Sequence, residues 1–77
     1  MVNITELYQQ FEADNIQYIT WEGQSIGVFS KIKETWPEDN TMQQWCDYFI
    51  RISQYEIENL TEEIEDDRRT LTELTGL

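Results

Sequence analysis

The residues best placed to do chemistry form a cluster of carboxylates in the C-terminal third of the chain. This acidic run consists of Glu56, Glu58, Glu62, Glu63, Glu65, Asp66 and Asp67. Closely spaced carboxylates can act as acid–base groups, hold divalent cations, or bind basic surfaces. The composition and the other motifs of the chain indicate which of these three uses is best supported.

Catalysis is the least supported of the three. The chain has no histidine, one cysteine and no glycine-rich phosphate loop. A catalytic pair of carboxylates needs a pocket that shifts one pKa, and a chain of 77 residues has little surface from which to build one. The sequence therefore predicts that the protein is not an enzyme and has no catalytic residues.

Metal binding is also poorly supported. The acidic run lacks the glycine turn and the alternating ligands of a calcium-binding EF-hand loop. Zinc sites are built mainly from cysteine and histidine, which this chain supplies only as a single cysteine. We predict no metal site and no cofactor.

The overall charge favours the third use. Sixteen Asp and Glu residues face five Lys and Arg residues, so the formal net charge is −11. Such a chain repels nucleic acid and anionic membranes, and its natural complement is a basic protein surface. The predicted partner is a basic, nucleic-acid-binding protein, with no direct binding of nucleic acid or membrane. The alternative that the acidity serves only solubility remains open.

A rigid row of carboxylates imitates the charge of duplex DNA, which carries about one phosphate per 1.7 Å of axis. The predicted function is therefore inhibition, in which the acidic run occupies an Arg/Lys-lined channel in place of DNA or RNA. Phage anti-restriction and anti-CRISPR proteins work in this way. The analogy rests on size and charge alone, because the chain carries no motif of those families.

A second pattern in the same region suggests a different function. Apolar residues recur there at heptad positions, as in a coiled coil. The seam consists of Ile50, Ile57, Leu60, Ile64, Leu71 and Leu74. The alternative prediction is a self-associating coiled-coil adaptor or structural homodimer, whose acidity is incidental.

The elements that position these residues are predicted as a single α+β domain over residues 1–77. A short helix runs from Asn3, its N-cap, to Asp14. The stretch from Ile16 to Ile32 is rich in strand-forming residues, and Gly23-Gln24 suits a tight turn, so a β-hairpin is predicted there.

A long acidic helix is predicted to start near Pro37 and to end at Gly76, which serves as its C-cap. Thr35 and Thr41 both fit an N-cap, and the sequence does not choose between them. A break near Asn59-Thr61 is also left open. Cys46 is predicted to be a small buried apolar residue.

Cellular location follows from what the sequence lacks. One cysteine excludes a disulfide framework, and no basic stretch followed by apolar residues marks a signal peptide. No segment approaches the roughly 20 apolar residues of a membrane span. We therefore expect a cytoplasmic protein.

Overall fold

The computed structural model describes residues 3–76, which form two long helices packed side by side. Helix α1 spans Ile4–Thr35, and helix α2 spans Asn40–Thr75. Residues 36–39 make the turn between them, so the helices run antiparallel. The hairpin measures 58 × 16 × 15 Å, which makes it a rod two helices wide and one helix thick.

The predicted α+β fold is wrong, because the described residues contain two helices and no strand. The short N-terminal helix does not stop at Asp14, and the residues assigned to a β-hairpin continue it to Thr35. Gly23 and Gln24, the predicted turn, lie inside α1 and have helical neighbours on both sides.

The error arose because strand propensity was given more weight than periodicity. Ile19, Ile26 and Phe29 follow spacings of seven and three, and all three are half-buried in the hairpin. That spacing places them on one side of a helix, whereas the predicted hairpin would place Phe29 on the face opposite Ile19 and Ile26. Strand propensity depends on the packing context, so it is outweighed when a neighbouring helix offers an interface.

The helix ends follow local rules. The Oδ1 atom of Asn3 accepts hydrogen bonds from the backbone N–H groups of Thr5 and Glu6, at 3.0 and 3.2 Å, which confirms the predicted N-cap. Helix α2 is capped by neither of the predicted threonines. Its N-cap is Asp39, which accepts from the backbone N–H of Met42 at 3.0 Å. Pro37 lies in the turn and not in the first turn of α2.

Helix α2 is continuous through Asn59-Thr61, which settles the question of a break. Its C-cap is Gly76, as predicted, with φ of 71° and a backbone N–H that donates to the Thr72 carbonyl at 2.9 Å. This left-handed conformation suits glycine, which has no Cβ to clash with the following carbonyl.

A glutamine side chain ties the turn together. Gln43 donates from Nε2 to the backbone carbonyls of Lys33 and Trp36, at 2.8 and 2.9 Å. These carbonyls lie at the end of α1, where backbone acceptors have no partner inside the helix. Lys33 also forms an ion pair with Asp47 across the two helices.

The interface between the helices is narrow and contains small residues. Cys46 is fully buried, as predicted, and Ser53 is the other buried residue among those described. Small side chains at these two positions, seven residues apart, let the helix backbones approach closely. At the open end of the hairpin, Arg68 of α2 forms an ion pair with Glu12 of α1.

Candidate functional site

The acidic run lies on the C-terminal half of α2, beyond the aromatic residues that pack near the turn. Six of its seven side chains are exposed, and Asp67 is half-buried. Residues 56–67 contain no Lys or Arg. The negative charge is therefore continuous along about 18 Å of helix axis, at roughly 1.5 Å per residue.

The structure does not bring these carboxylates onto one narrow face. Each residue turns about 100° around a helix axis, so Glu58 and Glu65 share one side, whereas Glu56 and Glu63 lie about 140° away. Glu62 and Asp66 fall between the two pairs. The acidic run therefore covers the outer half of α2, and only Asp67 turns toward α1.

Few cations neutralise this surface within the described residues. Asp66 has an ion pair with Arg69, 3.7 Å between Oδ1 and Nη1, in which both side chains are about 70% exposed. Ion pairs with this exposure contribute little to stability. Arg68 is engaged elsewhere, because its guanidinium donates to the Tyr8 hydroxyl at 3.2 Å and to the Glu12 carboxylate.

The contacts of Arg68 also favour its charged form. Hydrogen bonding to Tyr8, followed by the hydrogen bond and charge of Glu12, raises the pKa of the Arg68 guanidinium above its usual range. An arginine is already cationic over the pH range in which carboxylates titrate, and these contacts favour the same charged form. Arg68 closes the open end of the hairpin and leaves most of the acidic run without a basic neighbour.

The predicted self-association seam lies along the other side of α2. Five of its members are half-buried, and Leu74 at the end of the helix is 70% exposed. The half-buried members are Ile50, Ile57, Leu60, Ile64 and Leu71. They recur with the heptad spacing of a coiled coil, and the helix that covers them in this structure is α1 of the same chain. Pairing of this seam with a second chain would require α1 to move away.

A second apolar surface escaped the sequence analysis. The outer stripe of α1 consists of Ile4, Leu7, Phe11, Tyr18, Trp21 and Val28. Their side chains are 47% to 58% exposed. The signal for this surface was present at the start of the chain, where Ile4, Leu7 and Phe11 already follow helical spacing. Assignment of residues 16–32 to strands hid its continuation.

A cluster of aromatic residues lies between the helices near the turn. Phe29 of α1 stacks on Phe49 of α2 with ring centroids 5.2 Å apart, and Trp45 meets Phe49 edge-on at 4.9 Å. Trp45 remains 55% exposed. At the opposite end, Leu7 and Leu74 help to line a shallow groove between the helices. Exposed apolar atoms are thus found on both helices.

Two further observations limit the chemistry of the described part of the chain. Over residues 3–76, no group of three or more thiol or carboxylate side chains is arranged to hold a metal ion. In the same range, neither helix has a stretch apolar and long enough to cross a membrane.

Comparison with known proteins finds no match to any family model, curated protein or solved structure.

Proposed function

We propose that this chain is a small acidic protein-interaction module that binds a basic surface on a partner protein. The observation that supports the proposal is the acidic run itself, with six exposed carboxylates on one continuous helix. A regular helix holds these groups at fixed spacing, so little backbone freedom is lost on binding. The proposed site is noncatalytic and acts by occupying the partner's surface.

Repulsion within the acidic run adds to the driving force for binding. Glu58 and Glu62, Glu62 and Asp66, and Glu63 and Asp67 are each four residues apart. Like charges at this spacing destabilise a helix by about 0.2–0.5 kcal/mol per pair. A basic partner removes this repulsion as it binds, whereas a neutral partner does not. The long-range field of the run also accelerates encounter with a basic surface.

The sharper form of the proposal is a cytoplasmic inhibitor that mimics nucleic acid. Seven carboxylates over residues 56–67 give about one charge per 2.6 Å of axis, against about one per 1.7 Å for duplex DNA. The charge density is thus roughly two-thirds that of the duplex. A channel lined by Arg and Lys, built to hold the phosphates of DNA or RNA, has the matching charge.

A pull-down at low salt, followed by elution with salt or duplex DNA, tests this form directly. The expected result is capture of a nucleic-acid-binding protein that duplex DNA displaces. Raising the salt from about 50 mM to about 500 mM should weaken binding at least tenfold, because screening shortens the reach of the acidic run. Binding that is indifferent to both salt and DNA contradicts charge mimicry.

Charge reversal within the acidic run identifies the contact residues. The triple variant Glu62→Lys, Glu63→Lys and Asp66→Lys should abolish binding to the captured partner while helix content is retained. The matched control is Glu6→Lys, Glu34→Lys and Glu38→Lys, which makes the same change in net charge at exposed positions outside the run. Equal binding by the two triple variants would show that total charge matters and that the acidic run does not.

A further inference from the structure

The outer stripe of α1 is an apolar surface that α2 covers only in part, and Ile4, Leu7 and Phe11 at its start also line the groove between the helices. Its members follow spacings of three and four from Ile4 to Phe11 and again from Tyr18 to Trp21, and Val28 lies seven residues after Trp21. Two heptad positions within the stripe are not apolar, because they are occupied by Asp14 and Ser25. The stripe therefore runs for about 36 Å along α1, at roughly 1.5 Å per residue.

The side of α1 that faces α2 is more polar than the outer stripe. Its half-buried residues are polar at Thr5, Glu12, Asn15, Glu22, Ser25, Ser30 and Lys33, and apolar or aromatic at Tyr8, Ile19, Ile26, Phe29 and Ile32. Apolar side chains normally turn toward the only other helix present, because burial removes them from water. In this hairpin the six apolar residues of the outer stripe nevertheless remain about half exposed.

The surface area shows how much of the chain is left to bury. The chain exposes 6152 Å² at a mass of 9.3 kDa. A compact monomer of that mass exposes about 5,000 Å², so the excess is about 1,200 Å². A stable interface buries about 800 Å² on each partner, and homodimer interfaces often bury more. The elongated shape contributes to this excess, and its size is comparable to the area that such an interface buries.

We propose that the outer stripe binds a second copy of this chain, so that two hairpins form a four-helix assembly through α1. This inference is independent of the proposed function, because it concerns α1 and not the acidic run. A stripe with heptad spacing is complementary to a helix with the same repeat and similar length. The second copy supplies such a helix, in the form of an identical stripe.

Charge determines how the two copies are oriented. In a parallel arrangement the Asp14 side chains would face each other, and the two acidic runs would lie side by side. In an antiparallel arrangement centred near Tyr18, Asp14 lies near Trp21 of the second copy. The ion pairs Lys33–Asp47 and Glu12–Arg68 set the acidic run alongside residues 13–24 of α1, so the two acidic runs lie at the same level in either arrangement. The antiparallel arrangement has the weaker repulsion because it separates the two Asp14 carboxylates, which would face each other in a parallel pair.

Sedimentation equilibrium of the wild-type chain tests the proposal. The expected mass is that of two chains, and added salt should strengthen association because it screens the mutual repulsion. Salt acts in the opposite direction on the proposed binding to a basic partner, so failure of either proposal can be recognised separately. A wild-type chain that remains monomeric at several hundred micromolar, at low and at high salt, overturns the inference.

Two pairs of substitutions locate the interface. Phe11→Glu with Trp21→Glu should give a monomer, because it places charges within the outer stripe. The matched control is Tyr48→Glu with Tyr55→Glu, which adds the same charge on exposed aromatic residues of α2 and should leave a dimer. A dimer that survives the first pair and is lost with the second places the interface elsewhere and overturns the inference.

Distances between spin labels test the orientation without disrupting the stripe. Gln10, Gln17 and Gln24 are exposed positions of α1, each replaced in turn by cysteine in a chain whose buried Cys46 is alanine. In the antiparallel arrangement, the axial offset between equivalent labels grows by about 3 Å per residue away from the midpoint. Labels at Gln17 should therefore be closer together than those at Gln10 or Gln24. Equal distances at all three positions indicate a parallel pair and contradict the proposed orientation.

Discussion

Gln43 links the two helices at the turn. Its amide group donates to two backbone carbonyls at the end of α1, Lys33 and Trp36, which have no other partner within that helix. The side chain thus links the start of α2 to the end of α1.

The variant Gln43→Ala should lower the free energy of unfolding by about 1 kcal/mol, because the part-buried Lys33 carbonyl loses its donor while the Trp36 carbonyl keeps the Asp39 N–H. Urea unfolding followed by circular dichroism measures the change. The neighbouring exposed Gln44 provides the control, and Gln44→Ala should change stability by no more than about 0.5 kcal/mol. Equal effects of the two variants would show that the amide bonds do not stabilise the turn.

The residues that sequence analysis placed well are those with local causes. Asn3 and Gly76 act within three or four residues of their own position, so their roles can be recognised without knowledge of the fold. The N-cap of α2 was missed because Thr35, Asp39 and Thr41 all carry side chains that can cap a helix. Only the position at which the chain reverses selects Asp39.

At the scale of the element, helix α1 contains two glycines whose positions require neither a small residue nor a positive φ. A Cβ added at Gly23 or at Gly27 would meet no atom within 4 Å beyond the helix itself. Neither residue has the positive φ that favours glycine. Each therefore weakens α1 without a packing role in the hairpin, since glycine increases the conformational entropy lost on folding.

Replacing these glycines by alanine should stabilise the protein. We expect Gly23→Ala and Gly27→Ala to raise the free energy of unfolding by about 0.5–1 kcal/mol each, measured by urea unfolding. Gly76→Ala is the opposing control, because its φ of 71° strains any residue with a Cβ, and it should cost about 1 kcal/mol. Loss of stability at Gly23 or Gly27 would indicate that another chain packs against that position.

The same glycines help to explain why the fold could not be read from the sequence. Gly23, set between aromatic and β-branched residues, resembles the turn of a β-hairpin. The decisive pattern was longer than the hairpin, since heptad spacing in α1 is visible only when Ile4 to Val28 are considered together. Helix α2 was predicted well because its apolar repeat is regular from Ile50 to Leu71.

At the scale of the whole molecule, the acidic run and the outer stripe lie on different helices. The position of the acidic run could be predicted from sequence, because it is contiguous. The distribution of its carboxylates around α2 could not be predicted, because that distribution depends on the helix being continuous through Asn59-Thr61. The outer stripe required the structure, which shows the side of α1 that α2 leaves uncovered.

A dimer held by the outer stripe predicts that thermal stability depends on protein concentration. If two hairpins unfold together, raising the concentration from about 2 μM to about 200 μM favours the folded dimer by about 2.7 kcal/mol, which corresponds to an increase in Tm of roughly 5–10 °C. The variant Phe11→Glu with Trp21→Glu should show a Tm that does not change over the same range. Circular dichroism during heating measures both.

The salt dependence of Tm then distinguishes the effect of dimerisation on stability from the effect of charge repulsion within one chain. Salt screens the like charges of the acidic run in monomer and dimer alike, so it should raise the Tm of both proteins. Only the wild type should show a further increase in Tm at high protein concentration. In the wild type, salt also screens the repulsion between two associating chains, each with a charge of −11. If concentration has no effect on the wild type at any salt, the exposed apolar side chains of α1 are not covered by a second copy.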